Sequence, residues 1–289
     1  MRSDMAHNDL HIHMALDGLD FRRALAAHRD RPQDTILRAR LLAYQATGVT
    51  YLRDGGDRFG VCLRAKALAP EYGIVYRAPA FPIHKEGHYG GFLGRSYRTD
   101  QEYRALLLEA KRDGVDFIKL MISGLMDFSR PGILTEDSLT AYEIKTLVAQ
   151  AHDLGFSVMA HCNGARSTIA AVEANVESIE HGAYLNDEAI SALAQSQTVW
   201  IPTLSAIANL IGCGRFPDAA LQSILCGAQE NVKRVAALGG QIGLGSDAGA
   251  YCVPHGRGAD TEYQLLQEVF GTQTDSILQR AEQRIRAVF

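Results

Sequence analysis

Two histidines one residue apart, His11 and His13, lie in the stretch Leu10-His11-Ile12-His13-Met14. Side chains alternate along a β-strand, so this spacing turns both imidazoles to one face. Such a pair suits a tetrahedral or five-coordinate transition-metal ion. Four later positions could complete a site of that kind. Lys119 interrupts the apolar run Phe117-Ile118-Lys119-Leu120-Met121-Ile122. Burying an unpaired ammonium there is costly, which leaves two readings: a lysine paired with a buried carboxylate, or a desolvated amine of lowered pKa able to react with carbon dioxide. The resulting carbamate would present a carboxylate to two metals. His161 and His181 each stand where an apolar run stops, in Val158-Met159-Ala160-His161 and Ser178-Ile179-Glu180-His181. Taken singly, either could be a hydrogen-bonded core histidine. Asp247 follows Ile242-Gly243-Leu244-Gly245-Ser246, as a turn or helix-capping residue or as a ligand. Imidazoles with a carboxylate suit zinc, manganese, iron or nickel.

The elements that must carry these residues alternate in type. Extended, β-rich runs at 49–54, 74–79, 116–122, 156–160, 176–180, 198–204 and 242–245 are separated by helical patterns ended by Gly48, Gly73, Gly114, Gly155 and Gly239. The segment 82–96 reads as a loop rich in Gly, His and Tyr. Thr140 and Glu143 have capping-box spacing, and Ile144, Leu147, Val148 and Ala151 follow at helical period. Tyr142 and Trp200 read as core. With the first strand, about eight strand–helix units argue an α/β fold of the (β/α)8 TIM-barrel type, as a single domain over residues 1–289. An open dinucleotide-binding sheet would need a G-x-G-x-x-G after its first strand, where Ala15-Leu16-Asp17-Gly18 stands instead. In such a barrel the C-terminal strand ends share one rim, which brings His11, His13, Lys119, His161, His181 and Asp247 together as a metal site.

At 289 residues and 47% hydrophobic, the chain can bury a large core. A net charge of −4 gives no case for nucleic acid or an anionic membrane surface. Five cysteines with no C-x-x-C spacing indicate neither a disulfide framework nor a zinc ribbon. Met1–Asp9 lacks an apolar leader and no run approaches membrane-spanning length, so a cytoplasmic protein is expected.

The joint pattern resembles the amidohydrolase superfamily, in particular its imidazolonepropionase-like and prolidase-like branch. Gly48-Val49-Thr50-Tyr51-Leu52-Arg53-Asp54, Phe117 to Gly124, Ser178 to Gly182, Gly245-Ser246-Asp247-Ala248-Gly249 and Val253-Pro254-His255-Gly256 carry the resemblance. It implies one or two divalent metal ions, most simply zinc, with carbon dioxide held as a carbamate on Lys119. His11, His13 and Asp247 would hold the more buried ion, His161 and His181 the second, and Lys119 would bridge them. Asp247 would also be the catalytic proton carrier. The implied reaction is hydrolysis of an amide or peptide-like C–N bond, in a dipeptide, N-acyl amino acid or cyclic amide, by a metal-activated hydroxide. A mononuclear deaminase, an imidazolonepropionase-like cyclic-amide hydrolase and a non-catalytic metal-binding barrel remain alternatives. Substrate contacts are expected from His84, His88 and Tyr89 in the third loop, Tyr184 in the sixth and His255 in the eighth. The partner is a small-molecule substrate, and a homo-oligomer is open. Relatives carry a small β-sandwich outside the barrel that has no counterpart here. A bare barrel is therefore expected, its normally covered face polar or buried in an oligomer.

Overall fold

The computed structural model describes residues 7–289; the polar stretch 1–6 lies outside them. The first half runs β1 (His7–Ile12), α1 (Phe21–Ala27), α2 (Asp34–Ala46), β2 (Val49–Asp54), α3 (Val61–Leu68), β3 (Val75–Arg77), β4 (Pro82–Lys85), β5 (Arg95–Tyr97) and α4 (Asp100–Arg112). The second half runs β6 (Ile118–Met121), α5 (Ala141–Asp153), β7 (Val158–Cys162), α6 (Ala165–Glu173), β8 (Ser178–His181), α7 (Asp187–Ala194), β9 (Val199–Ile201), α8 (Ser205–Ala208), α9 (Asp218–Ala237), β10 (Gln241–Ile242), α10 (Arg257–Phe270) and α11 (Thr274–Val288). Among the described residues no helix is long and apolar enough to cross a membrane.

The helices start where the sequence supplies caps. The Asp20, Thr99, Thr140 and Asn186 side chains each accept a backbone N–H in the first turn that follows, and Thr140 with Glu143 closes the full capping box. Ile144, Leu147, Val148 and Ala151 of α5 are buried as their period requires. Tyr142 departs from expectation: it is 79% exposed, because two residues before Ile144 is the opposite side of a helix with 3.6 residues per turn. Trp200 is buried as expected.

Every strand pairing is parallel, in sheets of order β1-β2-β3 and β10-β9-β8-β7-β6-β4-β5. Alternating helices supply the crossovers that parallel strands need. The segment read as a loop contains β4 and β5. The third extended run does not end at Pro79: it turns at Ala80, whose φ is 63°, and resumes at Pro82. Its first half, β3, pairs with β2, and its second half, β4, pairs with β6. Strands of three and four residues, β4 opening on Pro82, leave too little periodicity to be seen in sequence.

The two sheets also touch at both ends. Leu10 N–H donates to Leu244 O (2.9 Å), Asp247 N–H to His11 O (2.8 Å) and His13 N–H to Ala248 O (2.7 Å). At the other seam Asp116 N–H donates to Ala78 O (3.0 Å). Glycine permits the first approach: a Cβ on Gly245 would lie 2.4 Å from Ile201 Cγ2 and 2.9 Å from His11 Cβ.

One apolar cluster fills the space between strands and helices. A second, comprising Leu10, Tyr51, Phe117, Met159, Val199 and Ile201, is closed by Ile285 and Phe289. The Phe289 ring stands edge-on to Phe117 at 5.0 Å. This packed floor fixes the strands whose other ends carry the polar residues.

Candidate metal centre

His11 and His13 emerge from β1 and the residue beyond it, with Nε2 atoms 3.3 Å apart. Asp247 Oδ1 lies 3.3 Å from His13 Nε2 and 3.6 Å from His11 Nε2. These three residues form a group able to hold a metal ion. The His181 ring centroid is 5.0 Å from that of His11 and 4.7 Å from that of His161. Lys119, one strand away from His161, is buried, and its Nζ has no hydrogen-bond partner. The chain thus brings together the residues that the sequence proposed for the site.

The ring nitrogens have defined neighbours. His11 Nδ1 faces Glu180 Oε2 at 2.7 Å, so its proton sits there and Nε2 keeps its lone pair. His161 Nε2 lies 3.3 Å from Gly124 O and 3.4 Å from Asn163 Nδ2; a proton directed to Gly124 leaves Nδ1 as acceptor. His181 Nδ1 is 2.7 Å from Thr203 Oγ1. Burial is the main cause that holds His11 and His181 well below the ordinary histidine pKa and brings His161 down to about 3, so all three stay neutral. Burial likewise lowers Lys119 to about 8.

The converging histidine lone pairs and a carboxylate oxygen without a hydrogen-bond donor (Asp247 Oδ1) form a donor set that a shared cation would satisfy, and Lys119 Nζ is also buried without a hydrogen-bond partner. The residues present therefore fit a divalent metal. Two of these residues reach the site from unusual backbone: His181 has φ 68° and Asp247 φ 60°. Left-handed backbone is tolerated best by Asn, Asp and His outside glycine, and here it falls at the strand ends where these side chains join the group. Gly55 makes room for His13, since a Cβ there would lie 2.4 Å from His13 Cε1.

Behind His11 lies a buried network that the motif did not point to. Glu180 accepts from Arg53 Nη2 (2.7 Å) and Ser178 Oγ (2.5 Å) as well as from His11. Arg53 also donates through Nε to Leu10 O (2.7 Å) and through Nη1 to Ser178 Oγ (2.8 Å), and its guanidinium lies 4.5 Å from the Phe289 ring centroid. Both charged groups are fully buried. The available signal was a charge in the middle of an apolar strand, the same signal that exposed Lys119.

The expected substrate contacts divide. The Tyr89 ring lies tilted against His161, ring centroids 5.1 Å apart, and its backbone N–H donates to Glu136 Oε1 (2.7 Å). His88 Nδ1 lies 3.5 Å from the same oxygen. His84 Nδ1 points to Lys85 O (2.9 Å) and its ring is wrapped by Gly90, Gly91 and Gly94. Tyr184 packs on the cluster of Met126, Ala183, Ile207 and Leu221. His255 does not face the histidine group with a free nitrogen: Nδ1 is taken by Tyr44 Oη (3.0 Å) and Nε2 by Leu16 O (2.8 Å), so it ties α2 to the segment after β1.

No protein-family model matches the chain. An uncharacterised protein of Mycobacterium tuberculosis is 30% identical over 132 residues, 44% of this chain and 35% of that protein. Ochratoxinase of Aspergillus niger is 27% identical over 159 residues, 53% of this chain and 30% of the enzyme. Each match spans about a third of the curated relative's length. The solved ochratoxinase structure superposes with a TM-score of 0.73 at 22% identity, covering 94% of this chain and 68% of that one. A Xaa-Pro dipeptidase with bound methionine in its active site gives a TM-score of 0.75 at 21% identity, covering 94% and 72%. The two solved structures share the fold of this chain.

Proposed function

We propose, from the premise that the chain resembles the amidohydrolase superfamily in sequence and fold, that it is a metal-dependent amidohydrolase cleaving an amide or peptide-like C–N bond of a small molecule. The observation that carries this reading is the unpartnered Lys119 Nζ buried among His11, His13, His161, His181 and Asp247. The seams between the sheets support one closed eight-stranded barrel in a single domain, with β3 and β4 as a single broken strand and β5 paired to β4 outside the ring. His11, His13 and Asp247 would hold one ion, His161 and His181 a second, and Lys119 as a carbamate would serve both. Bound divalent metal lowers the pKa of water and polarises the substrate carbonyl. Asp247 takes the proton from the attacking water on its carboxylate and delivers it to the leaving nitrogen. His161, held by Gly124, and His11, held by Glu180, keep fixed ring orientations throughout. Zinc is the proposed metal and the cytoplasm the proposed location.

A panel of dipeptides and N-acyl amino acids tests this. Zinc-loaded protein is expected to release free amine from some members, to lose turnover on chelation and to regain it with metal. Carbamate formation needs the neutral amine, whose share rises with pH through about 8. With dissolved carbon dioxide held at equal concentration, reactivation should therefore be faster at about pH 8.5 than at about pH 6.5. Release of ammonia from ring amines alone would move the reading to a deaminase. No turnover with any divalent metal would leave a non-catalytic barrel.

A further inference from the structure

We propose that the substrate carries an aromatic group, bound along a wall of rings that leads from His161 to solvent; this rests on the amidohydrolase reading and adds a substrate class to it. The wall begins at Tyr89, whose ring centroid is 5.1 Å from that of His161. Phe92 follows at 5.8 Å from Tyr89, and Phe21 at 5.6 Å from Phe92 with its plane turned by 72°. All three spacings fall in the range at which aromatic rings attract one another edge-on or offset. The inner members are half-buried, while Phe21 at the outer end is 46% exposed and the adjoining Leu19 is 68% exposed. Large apolar side chains held open beside a polar site have free faces for a ligand.

The wall is built in advance on two anchored segments. In the loop after β4, Tyr89 N–H is held by Glu136 Oε1 (2.7 Å), and Leu93 and Gly94 N–H donate to Gly90 O (3.1 and 2.7 Å). Arg58 N–H donates to Leu93 O (2.8 Å). Gly90 has φ 124°, and a Cβ there would come 3.0 Å from Met121 Cγ, so the loop lies close on the floor of the site. On the facing segment Asp17 Oδ1 accepts from Leu19 N–H (2.9 Å) and Asp20 N–H (2.8 Å), which fixes the turn that presents Leu19 and Phe21. Rings held rigid before the ligand arrives give selectivity at low ordering cost. A flat apolar group attached near the scissile bond can continue the edge-on sequence, and a methyl group cannot.

Calorimetric binding of N-acetyl-phenylalanine amide and N-acetyl-alanine amide tests the wall without requiring turnover. Wild-type protein is expected to bind the aromatic ligand about tenfold more tightly. Phe92→Ala and Phe21→Ala should each cut that preference about threefold, and the double variant should bring it near one. Phe92→Leu, which keeps the loop packed, should also lose preference. Equal binding of the two ligands by wild type, binding of neither, or equal weakening of both in every variant overturns the proposal. Aromatic preference with no metal-dependent hydrolysis anywhere in the dipeptide and N-acyl amino acid panel would keep the wall and reject the amidohydrolase reading; hydrolysis within the panel with equal binding of the two amides would do the reverse.

Discussion

In the Asp247→Asn variant, hydrolysis of the best amide substrate is expected to fall by about 10²–10⁴-fold, the span that positioned proton transfer contributes. The substitution suits the position. Asparagine tolerates left-handed backbone nearly as well as aspartate, so φ 60° can be kept. Asp247 Oδ1 has no hydrogen-bond donor, while the N–H donates to His11 O (2.8 Å) and is untouched by the change. Stability should therefore stay within about 1 kcal/mol of wild type, which separates lost chemistry from lost folding. The amide group cannot take the water's proton at neutral pH and carries no charge toward His11 and His13, so metal content is measured beside the rate. Full activity with normal metal content would remove Asp247 from the mechanism.

Glu180 and Arg53 should show a large effect of another kind. Both are fully buried and joined at 2.7 Å. Replacing Arg53 by methionine strands the carboxylate, and replacing Glu180 by leucine strands the guanidinium. Either change should cost about 3–5 kcal/mol, read as a lower denaturation midpoint. The double variant Arg53→Met/Glu180→Leu removes both charges and should recover much of that stability. It does not restore an acceptor for His11 Nδ1, which now faces Glu180 Oε2 at 2.7 Å. Zinc affinity should consequently remain about 10–100-fold weaker in the double variant. Recovery of stability and zinc affinity together would show that the pair serves only the core.

The six site residues were legible because each is a polar or ionisable group within or at the end of an apolar run, where simple packing would put another apolar residue. Glu180 and Arg53 have the same mark. Their partnership has no local signature, because it joins residues 127 positions apart. The positive φ of His181 and Asp247 has no local signature in residues that also populate ordinary backbone. β4 and β5 were hidden by Pro82 and by their length, and α1 by having only Ala24 and Leu25 buried. His255 shows the limit of position in the chain as a guide: it follows the last strand, yet its ring nitrogens serve Tyr44 and Leu16.

Anomalous scattering from zinc-loaded crystals tests the central claim most directly. The account predicts a zinc peak bonded to His11, His13 and Asp247, a second beside His161 and His181, and branched density on Lys119 Nζ reaching both. Absence of zinc from the His11–His13–Asp247 group, with Lys119 as an ammonium paired to a neighbouring carboxylate, would contradict it.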